Sequence, residues 1–107
     1  MEQTKMRCII VDDEPLLRQH IAEMTEQIGF LELVDTFPSA LAAASRLQQG
    51  DIDLIFLDIN MPYLNGIDFL ESLENPPLCI FITAYSEYAL EGFRLQAVDY
   101  VLKPIIF

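Results

Sequence analysis

Residues 53–58 read Asp53-Leu54-Ile55-Phe56-Leu57-Asp58, which is a run of four apolar residues between two aspartates. Apolar and polar positions do not alternate in this run, and strands covered on both faces of a parallel sheet have this pattern. The segment therefore predicts a central, buried strand with the polar side chain of Asp58 at its carboxyl end.

Four further segments are predicted strands, and two of them are equally apolar throughout. The segment 32–37 is more polar, which is typical of a strand at the edge of a sheet. The four segments are residues 7–11, 32–37, 78–82 and 98–102.

Helical patterns separate the strands. The first predicted helix begins at Pro15, ends near Gly29 and has apolar residues spaced three or four positions apart; they are Leu17, Ile21, Met24 and Ile28. A second helix follows Pro38-Ser39 and ends near Gly50, a short third helix ends at Asn75-Pro76-Pro77, and Ser86 is the predicted cap of a fourth.

Alternating strands and helices predict right-handed crossovers and a parallel sheet with helices on both faces. Five such units fit a flavodoxin-like, doubly wound α/β fold with strand order 2-1-3-4-5. A length of 107 residues has room for one domain, so residues 1–107 are expected to form it. In this class, ligands bind beyond the carboxyl ends of the strands.

The composition restricts the possible partners. Six basic and seventeen acidic residues give a net charge of −11, which disfavours direct contact with nucleic acid or an anionic membrane. Apolar runs fall far short of the roughly 20 residues of a membrane-spanning helix, and a cytoplasmic location is expected. Cys8 and Cys79 lie in apolar strands and are predicted to be buried, reduced thiols.

Polar side chains follow four of the predicted strands. Asp12 and Asp13 end the first strand, Asp58 the third, Thr83 the fourth and Lys103 the fifth. A single aspartate at a strand end is usually only a cap or turn residue. Because the carboxyl ends of parallel strands meet at one edge, these three carboxylates, one hydroxyl and one ammonium are expected to gather there.

Clustered carboxylates repel one another unless they share a cation. Oxygen ligands without histidine or cysteine favour Mg²⁺ over zinc or copper. A divalent cation and a lysine would together neutralise a transferring phosphoryl group while a carboxylate acts as the nucleophile. The pattern therefore predicts metal-assisted phosphoryl transfer onto an aspartate.

These residues resemble the receiver domains of bacterial two-component response regulators. The matching segments are spread over nearly the whole chain: residues 11–15 (VDDEP), residues 57–62 (LDINMP) with Gly66, Thr83-Ala84, and residues 99–104 (DYVLKP). Residues 84–89 and 97–100 are most similar to the subfamily whose output module is a LytTR DNA-binding domain. The resemblance implies a signalling phosphoacceptor in a phosphorelay, not an enzyme that turns over a separate substrate.

The resemblance also implies roles for single residues. Asp58 would accept the phosphoryl group from a phosphohistidine of a sensor histidine kinase. Asp13, Asp58 and the backbone carbonyl of Asn60 would bind Mg²⁺ directly, and Asp12 would hold a metal-bound water or share the ion.

Lys103 would pair with the phosphoryl oxygens, and a cis peptide before Pro104 would help to aim it. Thr83 would donate a hydrogen bond to the phosphoryl group and move toward it, and Tyr100 would then turn inward. The surface of the fourth helix and fifth strand would change and control an output domain. The alternative for Tyr100 is a strand aromatic that only packs on the core.

The chain stops at Phe107, where receivers normally continue into a fifth helix. A largely missing fifth helix would expose apolar sheet surface, so a homodimer is expected. DNA would be contacted only through an output domain outside this chain.

Three rival functions remain. An aspartate-nucleophile phosphatase or phosphotransferase usually has a second aspartate two residues after the nucleophile, a position that Asn60 holds here. A degenerate receiver would be a constitutive interaction module, although all five site residues are present. A stand-alone relay without a DNA-binding partner domain is the third.

Overall fold

A five-stranded parallel sheet organises the part of the chain that the computed structural model describes, namely residues 5–59, 61, 64–83 and 99–102. The strands are β1 (Met6–Val11), β2 (Leu31–Phe37), β3 (Leu54–Asp58), β4 (Leu78–Thr83) and β5 (Asp99–Leu102). Their order is β2-β1-β3-β4-β5, and each neighbouring pair is parallel. The predicted flavodoxin-like α/β fold is confirmed.

The helices of the described residues are α1 (Pro15–Glu26), α2 (Ala40–Leu47) and α3 (Gly66–Ser72). They follow β1, β2 and β3 in turn, so each begins at the carboxyl edge of the sheet. None of the helices in these ranges has the length and apolarity needed to cross a bilayer. The predicted fourth helix after Ser86 and the predicted fifth-helix region lie outside the described residues.

Local hydrogen bonds set the ends of these helices. The predicted cap of α2 is present, because Ser39 Oγ accepts a hydrogen bond of 3.1 Å from the Ala42 N–H. The helix α1 ends earlier than predicted: Gln27 caps it with right-handed geometry, and Gly29 does not adopt a positive φ. The predicted end of α1 near Gly29 therefore lies too far along the chain.

The core lies on both faces of the sheet. On one face, β1, β3 and β4 pack against α2 and α3; the buried residues there include Ile9, Val11, Ile55, Leu57, Phe81, Ala43 and Phe69. On the other face, Ile21 of α1 packs on Ile10 and Ile82. Cys8 and Cys79 are buried free thiols, as predicted. Burial raises the pKa of the Cys79 thiol to about 12.

A network of charged side chains, hereafter the Arg7 network, joins β1, β2 and the end of α2. Asp51 accepts hydrogen bonds from Arg46 at 2.5 and 3.0 Å and from Arg7 at 3.0 Å. Arg7 also binds Glu32 at 2.7 Å, and its backbone N–H donates to Asp53 Oδ2 at 2.8 Å. Because the network sits where β1 and β3 begin, it ties together the amino edge of the sheet.

Gly66, the first residue of α3, lies directly against the end of β3. Its N–H donates to the carbonyl oxygen of Ile59 at 2.8 Å. A Cβ atom on Gly66 would overlap the carbonyl oxygen of Asp58 and lie 3.1 Å from the Cα of Ile59. Only glycine lets the helix approach this strand end so closely, and this contact helps to fix the backbone at Asp58.

We expect Asp51→Asn to lower stability at neutral pH and to lose this effect in acid. The hydrogen bond from Arg46, followed by the charges of Arg46 and Arg7, lowers the pKa of Asp51 to about 2 from 3.8. The carboxylate therefore contributes fully above about pH 4, and its contribution is lost as the pH falls toward about 2. Urea unfolding of wild type and variant at about pH 6 and about pH 2.5 measures this.

The control is Glu71→Gln, which removes one negative charge from an exposed position on α3. Its unfolding free energy should stay close to that of the wild type at neutral pH. A constant difference between wild type and Asp51→Asn at both pH values would contradict the proposed role of the Asp51 carboxylate.

Gly66→Ala should lower the free energy of unfolding by about 1–3 kcal/mol, because the added methyl group forces α3 away from the end of β3. Gly29→Ala is the matched control, since a Cβ atom there meets no atom within 4 Å. Chemical denaturation of both variants provides the comparison. Equal free energies of unfolding for the two variants would show that α3 can shift away from β3 without loss of stability.

Candidate functional site

Four carboxylates meet at the carboxyl edge of the sheet. Their oxygens lie within 4.8 Å of one another, and we call this group the acidic cluster: Asp12, Asp13, Glu14 and Asp58. Pairing of β1 with β3 produces the approach, because Val11 aligns with Leu57 immediately before the two strand ends. The structure thus brings together the three aspartates that the sequence placed in one site.

Burial differs sharply within the acidic cluster. Asp12 has 0% and Asp58 has 1% of its surface accessible, whereas Asp13 is half-buried and Glu14 is exposed. Of the two deep carboxylates, Asp58 ends β3 and Asp12 directly follows β1, and the two shallower ones lie farther along the turn between β1 and α1. The cluster is therefore open to solvent on the side of that turn.

Asp12 is fixed by hydrogen bonds on three of its polar atoms. Its N–H donates to the Phe37 carbonyl at 3.1 Å, and its Oδ1 accepts from the Glu14 N–H at 2.9 Å. Its own carbonyl oxygen accepts from Arg18 Nη1 at 2.8 Å. Phe37, Glu14 and Arg18 therefore hold Asp12 at the carboxyl edge of the sheet.

The backbone of Asp58 is held from two sides. The Ile59 N–H donates to the Ile82 carbonyl at 3.1 Å, which ties the strand end to β4. Gly66 packs against the Asp58 carbonyl from the other side. The Asp58 carboxylate thus projects from a strand end that is in contact with both β4 and α3.

The remaining predicted site residues lie partly or wholly outside the part of the chain that the structure describes. The backbone of Thr83 ends β4 and aligns with Leu102, while that of Tyr100 aligns with Phe81; their side chains are not described. Asn60 and Lys103 lie outside the described residues. The carbonyl ligand, the lysine and the switch pair therefore stay predictions.

Glu14 was not assigned a role from the sequence. It is the N-cap of α1, with extended backbone geometry (φ −91°, ψ 110°), and Pro15 follows it at the start of the helix. The N–H of this capping residue points back to Asp12, so Glu14 is folded over the same turn. An acidic residue between Asp12-Asp13 and Pro15 was the signal available in the sequence.

The donor set of the acidic cluster fits a hard divalent cation. Carboxylates this close repel one another, and burial of two of them strengthens the repulsion. A shared cation removes this cost, and oxygen donors alone suit Mg²⁺. The chemistry of the cluster therefore agrees with the cation that the sequence predicted.

Comparison with known proteins identifies the family. Residues 8–106 match the response regulator receiver domain. The transcriptional regulatory protein YpdB of Escherichia coli K12 is 40% identical over 102 residues, covering 92% of this chain and 42% of YpdB. Protein MrkE of Klebsiella pneumoniae is 39% identical over 107 residues, covering 97% of this chain and 40% of MrkE.

Solved structures agree with this result. The crystal structure of the response regulatory domain of MrkE has a TM-score of 0.84 and 38% identity, covering 94% of this chain and 85% of that domain. The response regulator domain of Thermotoga maritima CheB gives a TM-score of 0.84 at 27% identity, covering 94% and 79%. The present chain spans less than half the length of YpdB and MrkE. On sequence and structure, it belongs to the response regulator receiver domain family.

Proposed function

We propose that the chain accepts a phosphoryl group on Asp58 from a phosphohistidine of a sensor histidine kinase. The observation that carries this proposal is the acidic cluster, in which a buried aspartate at the end of β3 meets the aspartates that end β1. In the transfer, an oxygen of Asp58 bonds to phosphorus while the bond from phosphorus to the histidine nitrogen breaks. The product is an acyl phosphate.

Asp58 is better suited to be the acceptor than the other members of the cluster. Asp12, Asp13 and Glu14 lie on the turn between β1 and α1. Asp58 instead projects from a strand end that Ile82 and Gly66 hold in place. A nucleophile gains from such preorganisation, because its reacting atom must be correctly placed before transfer.

Mg²⁺ is the proposed cofactor. Asp13, Asp58 and the backbone carbonyl of Asn60 would hold the ion, and Asp12 would share it or hold a bound water. The ion supplies positive charge that offsets the phosphoryl oxygens. Lys103 supplies a second positive charge on the same oxygens.

Thr83 and Tyr100 are the proposed switch pair. Phosphorylation adds nearly two negative charges and three acceptor oxygens at Asp58. Thr83 moves toward them and Tyr100 turns inward, which alters the surface of the fourth helix and β5. Support comes from the pairing of β4 with β5, which puts the two backbone positions on adjacent strands.

The proposed output is control of transcription through a separate DNA-binding module of the LytTR type. One relative is named a transcriptional regulatory protein, and this chain spans 42% of it. The net charge of −11 argues against DNA contact by the chain itself. Such a regulator and its kinase partner would meet in the cytoplasm, and the chain would perform no turnover beyond gaining and losing its own phosphoryl group.

The decisive test is incubation with acetyl phosphate and Mg²⁺, followed by intact mass measurement. We expect wild type to gain one phosphoryl group, and Asp58→Asn or removal of Mg²⁺ to abolish the gain. Asp68→Asn, which neutralises an exposed aspartate on α3, is the control and should react like wild type. Phosphorylation of Asp58→Asn at the wild-type rate would exclude Asp58 as the acceptor.

Asp13→Asn tests the metal assignment in the same assay. Replacing the carboxylate with a neutral amide should weaken Mg²⁺ binding, so more Mg²⁺ should be needed for half-maximal phosphorylation. An unchanged Mg²⁺ requirement would remove Asp13 from the set of ligands.

A homodimer is the proposed assembly. Phe56 and Ile80 are only partly buried although they lie on central strands, and Leu78 on the same face is 52% exposed. We expect light scattering to give a mass that rises with concentration and Leu78→Ser to shift it toward the monomer. Leu16→Ser, at an exposed leucine of α1, is the control. A monomeric mass at all concentrations would contradict the dimer.

A further inference from the structure

Arg18 lies on α1 close to the acidic cluster. Its Nη1 group donates a hydrogen bond of 2.8 Å to the carbonyl oxygen of Asp12, and its side chain is partly buried. Its own N–H donates to the Glu14 carbonyl at 2.9 Å. The residue therefore binds both ends of the three-residue turn 12–14, once by its side chain and once by its backbone.

The bond to the Asp12 carbonyl constrains more than Asp12. A peptide group is planar, so the direction of this carbonyl also sets the direction of the Asp13 N–H and limits the placement of Asp13. On the other side of Asp12, its Oδ1 holds the Glu14 N–H. The guanidinium contact thus restrains Asp12 and the peptide to Asp13, while Asp12 Oδ1 and the Arg18 N–H hold Glu14.

We propose that Arg18 is a positioning residue, which preorganises the turn 12–14 so that its carboxylates face Asp58 in an arrangement ready for Mg²⁺. This inference rests on the proposed function, because it assigns the metal to the acidic cluster. Groups that orient metal ligands strongly affect metal affinity without touching the metal. Arg18 acts in this way through the backbone of Asp12.

The positive charge of Arg18, taken by itself, would have the opposite effect on Mg²⁺ affinity from a positioning role. A guanidinium near the cluster makes the electrostatic potential there less negative. By electrostatics alone, its removal would therefore strengthen the binding of a cation. A positioning role instead predicts that removal weakens binding. The sign of the change in Mg²⁺ affinity therefore separates the two roles.

The experiment compares Arg18→Met and Arg18→Lys with wild type, using the whole 107-residue chain. Mg²⁺ titrations followed by amide chemical shifts give the dissociation constant. Arg18→Met should raise it roughly tenfold. Arg18→Lys, which keeps the charge and a donor but not the planar guanidinium, should give an intermediate value.

Arg46→Met is the matched control. It removes the same charge and the hydrogen bonds to Asp51 at the amino edge of the sheet. We expect reduced stability but an unchanged Mg²⁺ dissociation constant. An equal loss of affinity in this variant would trace the effect to general stability and overturn the inference.

A second readout needs no metal. Hydrogen exchange of the Glu14 amide, which donates to Asp12 Oδ1, should be faster in Arg18→Met than in wild type or Arg46→Met. Unchanged exchange, or Mg²⁺ binding by Arg18→Met as tight as that of wild type or tighter, overturns the positioning role. Failure of wild type itself to bind Mg²⁺ and gain a phosphoryl group would instead reject the proposed function.

Discussion

The parallel pairing of β1 with β3 is the constraint on which the site depends. Once Val11 aligns with Leu57, the next residues of the two strands are Asp12 and Asp58, and neither side chain reaches bulk solvent. Burial strengthens the repulsion between like charges that water would otherwise screen. The fold therefore accepts an electrostatic cost at one edge of its sheet, and a bound cation would offset that cost.

Acidic side chains at the opposite edge of the sheet are paired with basic ones. There, Asp51 lies between Arg46 and Arg7, and the hydrogen bond from Arg46 contributes most to lowering the pKa of Asp51 to about 2. Acidic groups at the amino edge are thus neutralised within the protein, whereas those at the carboxyl edge are concentrated. The first arrangement ties strands together, and the second is the proposed site of Mg²⁺ and the phosphoryl group.

The sequence predicted whatever depends on regular patterns. Continuous apolar runs located β1, β3 and β4, and Ser39 located the start of α2. What it did not predict depends on close contacts that only the folded backbone brings about. The overlap that a Cβ atom on Gly66 would have with Asp58 arises only when α3 docks on β3, and the folding of Glu14 over Asp12 arises only in the turn 12–14. The helix α1 ended at Glu26 because Gln27 caps it without a left-handed residue.

The contacts that hold the acidic cluster in place have a consequence for the proposed signalling. If the turn 12–14 and the end of β3 were loose, a phosphoryl group on Asp58 would be accommodated by local shifts of the cluster itself. Because Arg18 holds Asp12 and Gly66 holds the Asp58 backbone, the proposed response to the new charge falls on other groups. In the proposed mechanism, Thr83 and Tyr100 would then be the parts that move, and they would pass the change to β4 and β5.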